Sequence, residues 1–347
     1  MSARGITLEV AVERWPIAGH FTIARGSRTE AVVVVVTLRS GDRIGRGECV
    51  PYARYGESVQ SVVAQIEAQR PHIEGVGADQ DPTAVRGATS PIVALRESLS
   101  YALPAGAARN ALDCACWDLE AKLTGVPVSE RAGVAPPAPV ISAYTLSLGS
   151  PDAMAAAATL AQHRPVLKIK LGGEGDAARI RAVRAAAPRA TLIVDANESW
   201  RADLLAQNLA ACEAAGVALI EQPLPAGDDA ALDALRSTIP ICADESVHDR
   251  ASLASLAGRY QAINIKLDKT GGLTEALALA GAAKGLGLTI MVGCMLGTSL
   301  AMAPALLLAA DAAFVDLDGP LLLAKDREPG LAFEGSVIIP ADPRLWG

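Results

Sequence analysis

Six ionisable positions mark the second half of this chain at intervals of about 25 residues, the spacing of a repeated strand-and-helix unit: Lys170, Asp195, Glu221, Asp244, Lys266 and, after one skipped unit, the pair Asp316 and Asp318. Each lies at or near the end of a short apolar run. One strand, one helix and two loops fill such an interval, so the pattern predicts successive strands of an α/β barrel carrying chemistry at their C-terminal ends. Between Ala138 and Gly319 eight runs fit eight strands: VISAYTLSL, VLKIKL, TLIVDAN, VALIEQP, ICADES, AINIKLD, LTIMVG and FVDLDG, with alanine-rich helices between them.

The first part of the chain is built differently. From Ile6 to about Val50 it is β-like, with AVVVVVTL at Ala31 to Leu38 a buried strand closed by Ser40, Gly41 and Asp42. Pro51 to Gly87 alternates loop with amphipathic helix, and a loop at Pro104 to Gly106 leads into a long helix near Ala107 to Leu123. The tail, Pro320 to Gly347, has short β-like pieces and no helix period, and is expected to pack back on the N-terminal part. With 347 residues, 51% of them apolar, there is material for a sizeable core. A net charge of -7 without a basic block argues against nucleic acid or an anionic membrane as partner, and leaves a small molecule. No secretory segment opens the chain and no apolar stretch is long enough to span a bilayer, so a cytoplasmic location is expected. Six scattered cysteines read as reduced core thiols, and the four histidines form no ligand pair.

Residues two apart on a strand share a face, which gives the doublets Lys168/Lys170, Asp195/Asn197, Lys266/Asp268 and Asp316/Asp318 a common outlook. One such doublet could mark an exposed edge strand. Together they point to the open mouth of a barrel, whose strands are covered outside and filled inside. Asp195, Glu221 and Asp244 end neighbouring strands, an all-oxygen set suited to Mg²⁺. Lys170 on the second strand and Lys266 on the sixth face each other across the mouth. A carbon alpha to a carboxylate bound on the cation could lose its proton to one lysine and regain it from the other, through an enediolate, with inversion. Such a base works when its pKa is brought towards neutrality, and the cation and Lys168 would act on Lys170 in that sense. Lys168 itself would stabilise the carboxylate.

Taken in order, K-I-K, D-A-N-x-x-W, E-Q-P, A-D-E-S and N-I-K-L-D-K-T-G-G resemble the muconate-lactonizing subgroup of the enolase superfamily, and the segment Ala108 to Leu119 is similar to the helix joining cap to barrel there. The resemblance implies a modified (β/α)8 TIM-like barrel, (β/α)7β, over residues 114–319, and an α+β capping domain over 1–113 completed by 320–347. It also implies an isomerase. The D-x-D of Asp316 and Asp318 resembles that of the dipeptide epimerases, where it holds the substrate's N-terminal ammonium. FTIARGSRTEA at Phe21 to Ala31 is very similar to their mobile cap loop, in which the arginine matching Arg25 pairs with a glutamate side chain; Arg28 is a neighbouring candidate. PYARYGES at Pro51 to Ser58 matches the other cap loop, and Thr145 and Cys294 match pocket-lining positions. The function implied is Mg²⁺-dependent 1,1-proton transfer interconverting L-Ala-D-Glu and L-Ala-L-Glu in the recycling of murein peptides, and nothing in the chain forbids a homo-oligomer. Two alternatives stay open: an N-succinylamino acid racemase or o-succinylbenzoate synthase on the same scaffold, and a non-catalytic metal-binding barrel.

Overall fold

Three antiparallel strands, β1 (Thr7–Ile23), β2 (Gly26–Ser40) and β3 (Arg43–Cys49), open the computed structural model, which describes residues 5–76, 90–235, 237–256 and 258–347. The end of the Pro51 to Gly87 stretch lies outside the described residues. The valine run of β2 is continuous because both faces are covered. Val34, Val36 and Leu38 join a cap core with Ile66, Leu99 and Leu112, whereas Val33 and Val35 face the larger core shared with the barrel. Helix Ala107–Thr124 lies directly on β3. A Cβ on Gly47 would stand 2.1 Å from Ala111 O, and one on Gly45 2.3 Å from Leu119 N, so only glycine permits this approach. The helix is buried on nearly all sides, and its acidic groups are satisfied there: Asp118 accepts from Arg46 N and from Lys122 Nζ, each at 2.8 Å, and Glu120 accepts from Arg96 Nη1 at 2.8 Å and from Arg131.

Eight parallel strands follow: β5 (Tyr144–Leu146), β6 (Val166–Lys170), β7 (Thr191–Asp195), β8 (Val217–Glu221), β9 (Ile241–Ala243), β10 (Ala262–Ile265), β11 (Thr289–Gly293) and β12 (Phe314–Asp316), paired in chain order. Ala143 N donates to Val315 O at 2.7 Å and Leu317 N to Ser142 Oγ at 2.9 Å, which joins the first strand to the last. The run VISAYTLSL is not one strand. Its start, β4 (Val140–Ile141), pairs with the tail hairpin β13 (Phe333–Glu334) and β14 (Val337–Ile338), and only Tyr144–Leu146 enters the barrel. Other tail residues touch the cap: Ala324 N donates to Pro16 O at 2.8 Å, and Arg327 Nη2 to Glu48 Oε2 at 2.6 Å. The units after β8 and β9 carry only 3-10 turns, Ala230–Ala234 and Arg250–Ser255, where helices were expected. After β8, Pro223, Pro225 and Gly227 prevent an early helix start. After β9, Asp249 and Ser252 close a capping box on a single short turn.

Strand alternation sorts the barrel's side chains. Leu167, Ile169, Leu192, Val194 and Ile220 point outward into the core shared with the helices. Ala143, Ile193, Leu219, Cys242, Ala262 and Met291, with Val166 and Phe314 beside them, form a separate apolar cluster inside, the floor of the barrel. Among the described residues no helix is long and apolar enough to cross a membrane.

Candidate active site

Two residues beyond each floor residue, the same inward face carries Thr145, Lys168, Asp195, Glu221, Asp244, Asn264, Gly293 and Asp316. Two residues further on, β6 carries Lys170 and the sixth barrel strand, β10, leads to Lys266. Backbone pairing fixes much of this ring, since Lys170, Asp195 and Glu221 stand in one register row across β6, β7 and β8.

Asp195, Glu221 and Asp244 each offer an oxygen within 4.8 Å of the others. The two opposed lysines flank them: Lys170 Nζ donates to Asp195 Oδ2 at 2.5 Å, and Lys266 Nζ to Asp244 Oδ2 at 2.6 Å. Lys168 Nζ lies among carboxylates of β7, β8 and β12, 2.7 Å from Asp316 Oδ2, 2.6 Å from Glu221 Oε2 and 3.3 Å from Asp195 Oδ2. Asn264 Nδ2 donates to Glu221 Oε1 at 2.7 Å, and Gly293 leaves the room Asn264 needs, since a Cβ there would stand 2.5 Å from its Oδ1. Behind Asp244, buried Lys269 Nζ donates to Asp244 Oδ1 and to Asp244 O, each at 2.5 Å.

Charge balance in this cluster is uneven. Burial would raise Asp195, but Lys170 and then Lys168 outweigh it and hold this carboxyl below the usual carboxylate range. Burial likewise acts against Asp244, and Lys266 and Lys269 hold it well below its ordinary value. Glu221 goes the other way: burial, then Asp195, push it up to about 7. Its Oε2 is sealed from solvent and, although close to Lys168, makes no aligned hydrogen bond. A carboxyl short of positive charge, in a convergent all-oxygen trio, fits a divalent cation. Lys266 departs from the amine near neutrality that a base requires. Burial lowers it, but Asp244 and Glu221 overrule burial and push it well above the ordinary amine value.

Above the ring, Phe21, Tyr52, Tyr55, Lys170, Lys266 and Cys294 line a pocket of about 620 Å³, partly open to solvent, together with Arg25, Arg28 and Asp244. Lys168, Thr145, Asp316 and Asp318 lie outside its lining, buried beside it. Thr145 N donates to Asp318 Oδ2 at 2.6 Å, and Cys294 Sγ approaches Asp316 O at 3.3 Å. Burial and then Asp316 raise Asp318 to about 7, and Asp316 Oδ1 is buried without a hydrogen-bond partner.

Not every expected residue meets the site as expected. Asp268 does not share the mouth with Lys266. The chain leaves β10 at Lys266 for the helical turn Leu267–Thr270, which breaks the alternation, and Asp268 accepts instead from Val50 N at 3.0 Å and Asn110 Nδ2 at 2.9 Å on the cap side. Arg25 sits at the tip of the β1–β2 hairpin with all its donors taken by protein. Nη1 reaches Asn197 O at 3.0 Å and Glu198 Oε2 at 3.2 Å, Nη2 reaches Glu245 Oε1 at 2.7 Å and Tyr52 OH at 3.1 Å, and Nε reaches Tyr52 OH at 3.3 Å. The Arg28 guanidinium, 5.5 Å over the Tyr52 ring, makes no side-chain hydrogen bond among the described residues. Asn264, Lys269, Glu198 and Glu245 were missed from sequence. For Asn264 and Glu245 a signal existed, an inward position above Ala262 and a charge next to Asp244; for Glu198 and Lys269 the partners come from distant segments.

Two family models match: residues 5–133 the mandelate racemase / muconate lactonizing enzyme N-terminal domain, and residues 152–325 the enolase C-terminal domain-like family. The chain is 51% identical to the L-Ala-D/L-Glu epimerase of Escherichia coli (strain K12) over 94% of its length and 97% of that protein's. It is 46% identical to an N-acetyl-D-glutamate racemase of Pseudoalteromonas sp over 91% of its length and 95% of the other's. A crystal structure of an enolase family member from Agrobacterium tumefaciens, with homology to dipeptide epimerases and with sodium and L-Ala-L-Glu bound, superposes with a TM-score of 0.92 at 53% identity, covering 99% of this chain and 100% of that one.

Proposed function

The chain belongs to the mandelate racemase / muconate lactonizing family of the enolase superfamily, and from that premise we propose that it is a dipeptide epimerase interconverting L-Ala-D-Glu and L-Ala-L-Glu. The observation that carries the reading is the placement of two amines, Lys170 and Lys266, on opposite flanks of one carboxylate trio under one pocket. The residues that would hold Mg²⁺ are Asp195, Glu221 and Asp244. When bound, the cation would supply an electrophile for the substrate's α-carboxylate and, by taking up the charge of Asp244 and Glu221, would relieve the upward push those carboxylates exert on Lys266.

The chain's own groups account for the rest. One of the two lysines takes the α-proton on its face of the C-terminal residue, and the other, as an ammonium, delivers a proton to the opposite face. Lys168 stays charged among three carboxylates and neutralises developing negative charge on the carboxylate. Asp316 and Asp318 receive the substrate's ammonium, Asp316 through its unpartnered Oδ1, with Asp318 oriented by Thr145 N. Cys294, bonded to Asp316 O, shapes the wall between that subsite and the pocket. Arg28, whose side chain makes no hydrogen bond among the described residues, receives the side-chain carboxylate of the substrate. By chemistry such a dipeptide is a fragment of murein, and its recycling in the cytoplasm is the role we assign.

Proton NMR in D₂O with a small dipeptide library and Mg²⁺ tests the reading. Deuterium should enter the α-position of the C-terminal residue of L-Ala-L-Glu and of L-Ala-D-Glu, and its absence from every dipeptide overturns the proposal. A second reading, racemisation of N-acylated glutamate, is favoured by the Pseudoalteromonas relative. It predicts faster exchange on N-acetylglutamate than on the dipeptide.

A further inference from the structure

Two segments of the cap roof the pocket, and one carboxylate of the barrel is bonded to both, although the hairpin's Arg25 also holds Glu245 Oε1 at 2.7 Å. The segments are the β1–β2 hairpin, which brings Phe21, Arg25 and Arg28, and the loop with the turn Ala53–Tyr55, which brings Tyr52 and Tyr55. Arg54 of that turn places Nη2 2.6 Å from Glu198 Oε1 and Nε 2.6 Å from Glu198 Oε2, a bidentate pair. Arg25 of the hairpin reaches the same Oε2 at 3.2 Å, and the barrel's own Ala226 N donates to Oε1 at 2.8 Å. Four donors from three parts of the chain thus converge on a side chain only 10% exposed.

The backbone is bent to present this group. Asn197 and Glu198 have φ of 46° and 66°, and Gln222 on the neighbouring loop 34°, values in the left-handed region that non-glycine residues seldom adopt. Glu198 N donates to Gln222 O at 2.9 Å, so the two strained loops hold each other. The outcome of the bend is that Asn197 O and the Glu198 carboxylate both aim at the cap, where Arg25 binds both. Asp195, the last residue of β7, lies three residues before Glu198, so roof and floor of the site are tied to one short stretch of chain.

We propose that Glu198 is a positioning residue for the reaction: it latches both cap segments over the pocket, and its bonds must break for the dipeptide to enter or leave. The inference rests on the epimerase reading for its kinetic part and on the geometry alone for the rest. Nothing in it gives Glu198 contact with substrate. Glu198→Gln keeps an acceptor for Ala226 N but removes the charge that gathers the two arginines, and Arg54→Met cuts the same latch from the cap side.

Three measurements on the full-length protein with Mg²⁺ decide it. In steady state, Glu198→Gln should raise KM for L-Ala-L-Glu by about tenfold, near 1.4 kcal/mol, and leave kcat within about threefold. Trypsin, with the cut sites read by mass spectrometry, should cleave after Arg25 or Arg28 about tenfold faster in the variant, as local opening of the hairpin requires. Glu198→Gln added to Arg54→Met should change KM by much less than it does alone, because both remove one latch. Unchanged protection of the hairpin, a loss confined to kcat, or full additivity with Arg54→Met each overturns the proposal. The proteolysis stands apart from turnover: failure of the wild type on every dipeptide removes the epimerase reading, whereas the cut sites still decide the latch.

Discussion

Asp318→Asn separates recognition of an ammonium from every other job at the site. Asparagine is nearly isosteric and its Oδ1 can still accept from Thr145 N, which Asp318 holds at 2.6 Å, so the loop has no reason to move. What disappears is a buried negative charge. Removing one partner of a buried, hydrogen-bonded charge pair costs about 2–5 kcal/mol, and a middle value of about 3 kcal/mol is roughly 150-fold in kcat/KM. The same substitution should not weaken the fold. Burial and Asp316 hold the Asp318 carboxyl at about 7, above the value it has in the unfolded chain, so the native state binds this proton more tightly. Stability from this group is therefore complete below the unfolded pKa of about 4 and is lost as pH rises towards about 7. The asparagine variant escapes that loss, so its melting temperature at pH 8 should equal or exceed the wild type's while its activity on the dipeptide collapses. The assay is deuterium uptake by NMR on L-Ala-L-Glu and N-acetylglutamate in parallel, with melting curves at pH 5 and pH 8. N-acetylglutamate lacks the ammonium and should be nearly indifferent to the change. Equal losses on both substrates, or dipeptide kinetics within threefold of wild type, would refute the ammonium role.

Other perturbations reach the remaining parts. Lys266→Ala should abolish epimerisation, with a loss of about 10²- to 10⁴-fold in the step that needs this base; α-proton exchange should survive on one diastereomer only, and exchange on both would remove the two-base scheme. Mg²⁺ at about 100 times its Kd should stabilise the wild type by about 2.7 kcal/mol, read as a rise in melting temperature that Asp244→Asn abolishes. Gly293→Ala would set a Cβ 2.5 Å from Asn264 Oδ1 and push Asn264 off Glu221, so denaturant unfolding should report a loss of about 1–3 kcal/mol and calorimetry a weaker Mg²⁺ affinity; an unchanged affinity would sever the link between Asn264 and the trio.

The convergence of charged side chains was legible in the sequence because they sit at strand ends, where apolar runs announce themselves and one charge closes each. Lys170, Asp195, Glu221 and Asp244 were found by that rule. It stops working where a strand stops: Asp268 follows Lys266 by two residues, yet a helical turn intervenes and carries it to the cap. The run from Val140 misled for a different reason, since β4 is claimed by a hairpin about 190 residues later and such pairing leaves no local trace. Nothing local reveals Glu198 and Glu245, which accept from Arg25 across 173 and 220 residues of chain. Lys269 was not singled out, because its role as a buried counter-charge behind Asp244 depends on a partner 25 residues away.

One property of the barrel floor reaches beyond this chain. Each ionisable position of the ring stands a fixed two or four residues above an apolar partner on a hydrogen-bonded ladder, so the spacing between its amines and carboxylate oxygens is inherited from peptide geometry. The roof is joined to that ladder at a few polar fastenings and can be rebuilt without retuning it. Selectivity for new side chains should therefore be obtainable by grafting hairpins, with the machinery underneath left untouched.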